Sequence, residues 1–364
     1  ATIANSGTAT GFGGGRNMII AGCMRVAQRG TSIADLGGAG SERGPCDLWT
    51  LQRNAGTEGS RWTLSQETAS GPEGVGYWLK MLCTTTEASI AAGEKMSIET
   101  RLEAQNLQHL QWGSANAKAT TLSFKIIVHA DGASSLSFPV IVCVSLYSDD
   151  GVRHYNHEVS VTTADVWQNV SFTIPGDTSG TINNDTGMGM RVCFQLYVGS
   201  GERVTADTWA GGAVYGTPNC DDISDATNNY MGIAEVQWEV GSAATAFEQE
   251  HLTVTLLKCY RHYYKFIAGG TAALLGVANA EGADRMSFNI QHPVAMRSDQ
   301  PTITVNNPGS FRLSVGGGNY VGSALNDAQS SAHFSGIRLA TATSPSRADG
   351  GVWTVTNLTG TIEI

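Results

Sequence analysis

The chain is poor in charge, in basic residues and in long apolar runs. Only 15% of its 364 residues are charged, and 22 Lys and Arg stand against 32 Asp and Glu, a formal net charge of −10. Phosphate backbones select basic surfaces, so this balance argues against a nucleic-acid partner. No stretch approaches the ~20 consecutive apolar residues of a membrane-spanning helix, and no membrane insertion is expected. The opening Ala1-Thr2-Ile3-Ala4-Asn5-Ser6-Gly7 has neither the basic stretch nor the apolar run of a secretory leader, and none is expected. Seven cysteines (Cys23, Cys46, Cys83, Cys143, Cys193, Cys220 and Cys259) are odd in number, widely spaced and free of any C-x-x-C pair. That pattern favours reduced, mostly buried thiols over a disulfide framework.

Catalytic signatures are lacking as well. There is no G-x-S-x-G, no H-E-x-x-H and no Walker loop, so neither an enzyme nor a cofactor is expected. Gly11-Phe12-Gly13-Gly14-Gly15 follows no strand and opens no helix, as a dinucleotide-binding loop would. His154, His157 and Glu158 fall on a strand-like segment, where His157 faces away from the other two, so they do not converge on a metal. Asp221-Asp222-Ile223-Ser224-Asp225 has a calcium reading and a solvated-loop reading; its spacing matches no EF-hand, and no metal is expected. Glu202 and Asp207 flank Trp209 as a glycosidase pair would, but nothing in the sequence makes them face each other.

Glycine is abundant: 44 residues, about 12% against a usual ~7%, with no G-X-Y period. Between the glycines lie short strand-like segments with turn signals at Asp149-Asp150-Gly151, Pro175-Gly176-Asp177 and Thr217-Pro218-Asn219. Strands are expected at Arg61–Glu67, Gly76–Thr84, Met96–Glu103, Thr121–Ala130, Pro139–Ser148, His154–Thr162, Gln168–Ile174, Met188–Val198 and Met231–Val240. Strands this frequent, without interleaved helices, predict an all-β jelly-roll β-sandwich over residues 17–250. Leu122, Phe124, Val142, Val144, Phe172, Val192 and Phe194 recur at period two and predict its core. Residues 251–267 predict a short helix running into a strand. Residues 268–364 predict a smaller β-rich C-terminal domain, with too few large apolar residues for a strong core of its own. Residues 1–16 read either as an attachment arm, with Phe12 as anchor and Arg16 at its end, or as a disordered terminus.

Binding is better supported than catalysis. Sugar-binding β-sandwiches place an aromatic ring under the apolar face of a sugar and ring it with polar side chains. Arg203, Asp207, Trp209 and Tyr215 supply such a set within one loop, and Asn228 with Tyr230 supplies another. The competing reading makes Trp209 and Tyr215 packing residues. Tyr260, Tyr263, Tyr264 and Phe266 crowd the predicted join and predict burial against another domain or subunit.

Several phrases carry a resemblance. Gln237, Glu239, Gly241, Ala244, Thr245, Phe247 and Glu248 spell Q-x-E-x-G-x-x-A-T-x-F-E. Asn17 to Ser32 runs N-x-x-x-x-G-x-M-x-V-x-Q-R-G-T-S, followed by Asp47-Leu48-Trp49. Arg101-Leu102-Glu103-Ala104-Gln105-Asn106 and Trp167 to Gly180, ending I-P-G-D-T-S-G, come next. Cys259-Tyr260-Arg261-His262-Tyr263-Tyr264 is similar to C-x-R-Y-Y, and Pro293 to Arg297 to P-v-x-M-R. Together these resemble bacteriophage tail-fibre and virion-appendage proteins carrying a carbohydrate-binding-type β-sandwich. The Leu48 position is usually Arg in that family, which removes any salt bridge from there. The family also has a Trp in the loop of Trp209, which favours the packing reading. The resemblance implies a homotrimeric fibre or spike on the virion surface, made in the host cytoplasm, fixed to tail or capsid proteins and binding host surface glycans. A tail fibre is the first expectation; a capsid head spike or decoration (cement) protein, and a polysaccharide depolymerase, are the alternatives.

Overall fold

Segments such as Thr120–His129 (TTLSFKIIVH) send alternate side chains to opposite faces, and burying one face against a second such sheet gives the architecture of the chain. The computed structural model describes residues 15–38, 40–54, 59–267, 273–280, 285–315, 318–341, 353–357 and 361–363. Phe12 and most of the predicted arm lie outside them. Two compact units divide at Thr255/Leu256, inside the stretch the sequence marks as the join.

The strands of the first unit are β1 (Ser32–Leu36), β2 (Ser41–Arg43), β3 (Trp49–Arg53), β4 (Arg61–Glu67), β5 (Trp78–Thr85), β6 (Lys95–Glu103) and β7 (Thr120–His129), then β8 (Val140–Ser148), β9 (Arg153–Val161), β10 (Gln168–Ile174), β11 (Met188–Val198), β12 (Ala210–Gly211) and β13 (Tyr230–Val240). They form a six-stranded sheet, β1-β4-β5-β13-β7-β10, and a seven-stranded sheet, β12-β9-β8-β11-β6-β3-β2. Every pairing is antiparallel, and the fold is the expected β-sandwich. Leu122, Phe124, Ile126 and Phe172 from the first sheet pack against Val142, Val144, Val192 and Phe194 from the second. The Phe124 and Phe194 rings meet edge to face across the sandwich at 4.9 Å. The sequence missed β1, β2, β3 and β12, which are short and lack a full alternating run.

The outer face of the seven-stranded sheet is covered. Glu99, Ser145, Cys193 and Gln195 point away from the apolar core yet are fully buried, because the segment after β11 folds back over them. Tyr215 contributes its carbonyl to Ser145 Oγ, and Arg203 bridges to Gly216. Buried Glu99 is compensated by Arg101 (2.6 Å) and Arg191 (3.7 Å). Lys95 places its ammonium 3.1 Å from the Tyr215 ring centroid, and desolvation pushes that amine below its ordinary pKa.

The chain ends of the sandwich are tied by one hydrogen-bond cluster built from the recurrent phrases. Glu239, buried in β13, accepts from the Thr245 amide (2.8 Å), the Thr245 hydroxyl (2.8 Å) and Gln237 Nε2 (2.9 Å). Gln237 Oε1 accepts the Glu248 amide (2.8 Å), and a Glu248 carboxylate oxygen accepts the Asn17 amide (2.9 Å). Asn17 Oδ1 in turn accepts from the Ile19 and Trp238 amides (both 3.0 Å). Gly22 completes the closure: its carbonyl accepts the Val236 amide (3.0 Å), and a Cβ there would lie 2.0 Å from the Val236 carbonyl oxygen.

A second clasp holds the loop 131–135 to the segment entering β13. Asp225 accepts from the hydroxyls of Ser134 (2.7 Å) and Ser135 (2.6 Å), from the Ser135 amide (2.5 Å) and from Asn229 Nδ2 (2.5 Å). Burial pushes the Asp225 carboxyl up, but these four donors outweigh it and hold the pKa below the ordinary carboxylate value.

A helix α1 (Leu252–Tyr260) spans the division between the units, and the second unit continues with β14 (Lys265–Ile267). Six strands close a barrel in the order β15 (Ala273–Ala280), β16 (Arg285–Gln291), β20 (Phe334–Thr341), β19 (Gly318–Ser330), β18 (Phe311–Val315) and β21 (Trp353–Asn357). A three-stranded sheet joins β14 to β22 (Thr361–Glu363) and β17 (Thr304–Asn306). Met286, Phe288, Ile290, Met296, Phe311, Ile337 and Leu339 form a core within the unit itself, more than the sparse apolar content suggested.

The packing sets the expected cost of three substitutions. Gly22→Ala is expected to cost about 3 kcal/mol in denaturant unfolding of the sandwich, because backbone meets backbone and neither side can yield. Gly76→Ala, with nothing within 4 Å of its added methyl, is expected to change stability by less than ~0.5 kcal/mol. Asp225→Ala is expected to cost about 1–3 kcal/mol at pH 7, since Asn229 and the serines lose their acceptor. A depressed carboxyl pKa stabilises above the unfolded value of ~3.9 and loses that contribution as pH falls through the folded value. The gap between wild type and Asp225→Ala therefore narrows below about pH 4, measurable as Tm against pH.

Candidate functional site

After β6 the chain makes a 3-10 turn over Ala104–Leu110, burying Leu107 and Leu110. Gln111 then takes a left-handed conformation (φ 55°) and Gly113 a positive φ of 84°. Glycine is required at 113, because a Cβ would lie 2.2 Å from the Gly180 carbonyl oxygen. The Gly113 amide donates to the Asp177 carbonyl (2.7 Å), so the loop 111–118 is seated on the I-P-G-D-T-S-G turn. That turn is anchored by an Arg153–Asp177 ion pair.

The seating places an aromatic row at one end of the sandwich. Trp112 meets the edge of Trp238 at 5.8 Å and of Trp209 at 5.0 Å, and donates Nε1 to the Lys118 carbonyl (2.8 Å). Trp209 donates Nε1 to the Pro175 carbonyl (2.7 Å) and packs on Tyr155 at 5.4 Å. Asp207 Oδ1 then accepts from the Tyr155 hydroxyl (3.1 Å) and pairs with His157 Nδ1 (2.6 Å), whose ring stacks on Phe172 at 3.8 Å. Beside Trp112 opens a cleft of about 270 Å³ lined by Leu107, Gln108, Gln111, Trp112, Ser114, Asn116 and Ile182. No lining residue is charged. Gln108 Nε2 is committed to the Ile182 and Asn183 carbonyls. The side-chain amides of Gln111 and Asn116 are exposed, and no protein partner engages them among the described residues.

The residues expected from sequence to hold a glycan fall in three places. Trp209 and Asp207 belong to the aromatic row. Tyr215 lies in the covering segment with its ring buried, 6% exposed, against Tyr147 (5.2 Å) and Lys95, so it offers no ring to a ligand. Arg203 beside it donates to the carbonyls of Val198 (2.9 Å from Nε) and Pro218 (3.2 Å) and holds that segment down. For Tyr215 this agrees with the packing reading, and the glycan-binding reading of Tyr215 and Arg203 is corrected: the loop is a lid packed on its own sheet. Tyr230 sits at the other end of β13 from Trp238, eight residues or roughly 25 Å away at ~3.3 Å per residue. There it stacks on His129 (5.0 Å) and donates to Asp165 (3.3 Å), while Asn228 adopts a positive φ of 70° in the preceding turn.

The other candidates resolve locally. Arg16 donates to the Ala246 carbonyl (3.2 Å), beside the clasp that holds Asn17. Tyr264 and Phe266 pack against the small core of the second unit; Tyr260 meets Tyr264 edge-on at 4.9 Å, and Tyr263 is buried. Packing within the chain accounts for the burial of Tyr263, Tyr264 and Phe266. Glu202 accepts from Asn54 (3.0 Å) and Asp207 from His157, so the two carboxylates are held by different partners. Asp221, Asp222 and Asp225 accept from Ile141, Ser224 and the serine–asparagine clasp, respectively. No group of three or more His, Cys, Asp or Glu residues converges on a metal site among the described residues.

Sequence reading missed the cleft. Its available signal was the density of amides around an indole, Gln105-Asn106-Leu107-Gln108-His109-Leu110-Gln111-Trp112-Gly113-Ser114-Ala115-Asn116. The first residues of that stretch carry the family resemblance given above, and Gln111 to Asn116 carry no sequence expectation.

No family model and no curated protein matches the chain. Among solved structures it is similar to a CBM4 carbohydrate-binding module (12% identity, TM-score 0.26, covering 53% of this chain and 87% of that one). It is also similar to TmCBM61 in complex with β-1,4-galactotriose (11%, 0.24, 54% and 88%). A third likeness is to the Stig cyclase Fisc from Fischerella sp. TAU (10%, 0.29, 63% and 98%). Scores and identities this low carry no argument about activity, and the fold rests on the strand order itself.

Proposed function

We propose that this chain is a carbohydrate-binding adhesin and that neutral glycan sits in the cleft beside Trp112. The observation that carries the reading is the pairing of an apolar wall, Leu107, Trp112 and Ile182, with two unengaged amides, Gln111 and Asn116. A sugar ring presents an apolar C–H face and a rim of hydroxyls. The wall matches the first and the amides match the second, which is how small polar ligands are oriented in mostly apolar clefts. The uncharged lining favours neutral over acidic sugars, since a carboxylate or sulfate desolvated there would find no cation.

The biological setting rests on the recurrent phrases rather than on the cleft. In this reading the chain is a phage virion structural protein, a homotrimeric tail fibre on the particle surface that recognises a host polysaccharide. It binds rather than cleaves: Glu202 and Asp207, which flank Trp209 in sequence, are engaged by separate partners. Copies of the chain and tail or capsid proteins are its partners in the particle.

Titration of the purified chain with a panel of neutral and acidic bacterial surface oligosaccharides tests the cleft. Gln111→Ala combined with Asn116→Ala is expected to weaken binding of the best neutral ligand by ~10-fold or more, at about 1 kcal/mol per lost hydrogen bond, with Tm unchanged. Tyr230→Ala is expected to bind as wild type does. Equal affinities of wild type and double variant, or a preference for acidic ligands, would sink the assignment.

A further inference from the structure

Cys143 and Cys220 are far apart in sequence and adjacent in the fold. Cys143 lies in β8 on the outer, covered face of the seven-stranded sheet, and Cys220 lies in the segment that covers it. The two pack with Val198 in a small apolar cluster of their own, separate from the main core. The backbone fixes their meeting. The Asp221 amide donates to the Ile141 carbonyl (2.9 Å), and the Ile141 amide donates to an Asp221 carboxylate oxygen (2.6 Å), so the covering segment is pinned beside β8 next to Cys220. Thr217 Oγ1 is 3.0 Å from Cys143 Sγ, and the Cys220 amide closes a turn onto the Thr217 carbonyl (3.2 Å).

We propose that Cys143 and Cys220 are a reactive pair that closes to a disulfide when the chain meets an oxidised thiol reagent, covalently locking the covering segment to β8. Cys46 approaches the Met24 carbonyl and Cys193 the Glu99 carboxylate, neither of which can join a disulfide. The pair is also chemically asymmetric. The interaction between the two thiols, helped by the Thr217 hydroxyl beside Cys143, lowers the Cys143 pKa and raises that of Cys220, which favours Cys143 as the attacking sulfur.

With glutathione disulfide as oxidant the balance is simple. The Cys143 thiolate attacks one glutathione sulfur, the glutathione S–S bond breaks, and one glutathione thiolate leaves and takes up the proton from Cys143. The Cys220 sulfur then attacks Cys143 of the mixed disulfide, its proton passing to the second glutathione as that leaves. Two protein thiols are oxidised and one glutathione disulfide is reduced to two thiols. Because both sulfurs are buried, the exchange proceeds when the covering segment lifts or while the chain folds. The expectation of reduced, mostly buried thiols, drawn from their odd number and spacing, then holds for this pair only in a reducing compartment.

The test is to refold the full chain from denaturant in glutathione buffers of rising oxidised fraction, alkylate the free thiols, and map cross-links by mass spectrometry. The expected result is a single dominant link between the peptides of Cys143 and Cys220, with Tm raised by ~5–10 °C over the reduced chain. Cys220→Ser and Cys143→Ser are each expected to lose the link and the Tm rise while matching the reduced wild type, whereas Cys193→Ser keeps both. Alkylation of both Cys143 and Cys220 in the oxidising buffer, or an even scatter of links among all seven cysteines, would overturn the proposal.

Discussion

The carboxylate of Glu239 is the point on which the sandwich closes. β13 is a central strand, paired with β5 on one side and β7 on the other, and the chain leaves the sandwich directly after it. Without a tie, the small-residue stretch Gly241 to Ala246 would have no apolar side chain to hold it down. Glu239 instead gathers the Thr245 amide and hydroxyl, and Gln237 extends the cluster to Glu248 and Asn17. Hydrogen bonds to an ionised acceptor are roughly twice as strong as neutral ones, and burial protects them from water. The departing and entering segments are therefore held by the same network, on residues more than two hundred positions apart in sequence.

This explains why the recurrent phrases were legible and what they meant. A string such as Q-x-E-x-G-x-x-A-T-x-F-E is specific because Gln237, Glu239, Thr245 and Glu248 each have a bond to make at a fixed spacing. Gly176 and Gly180 in I-P-G-D-T-S-G likewise answer to backbone and carboxylate atoms that leave no room for a Cβ. These are folding constraints. They say nothing directly about a ligand.

Most of the long strands were readable, since nine alternating segments reappear with their ends shifted by at most two residues. The candidate site was less so. Trp209, Tyr215, Arg203 and Asp207 share one loop, and a sequence cannot tell a presented loop from one folded back over a sheet. The deciding fact is the outer face beneath it. Glu99, Lys95 and Gln195 sit on alternating strand positions that would ordinarily face water, and they need a cover. Tyr215 and Arg203 supply it, leaving only Trp209 and Asp207 in the aromatic row. The small C-terminal core was underestimated for a related reason: closing six strands into a barrel removes both edges, so a short set of apolar residues suffices.

Trp238 links the closure of the fold to the cleft. Its backbone amide is held by Asn17, its indole Nε1 donates to Thr120 (2.9 Å), and its ring forms the inner edge against which Trp112 packs. Trp112 then carries the loop that bears Gln111 and Asn116. The position of two exposed amides is thus set through one indole by a hydrogen-bond network on the far side of the strand. Binding groups on a surface loop gain precision when the loop rests on buried, doubly anchored side chains, because less ordering remains to be done when the ligand arrives. The residues that seat the cleft's loop thus include those of the closing network as well as those of the cleft itself.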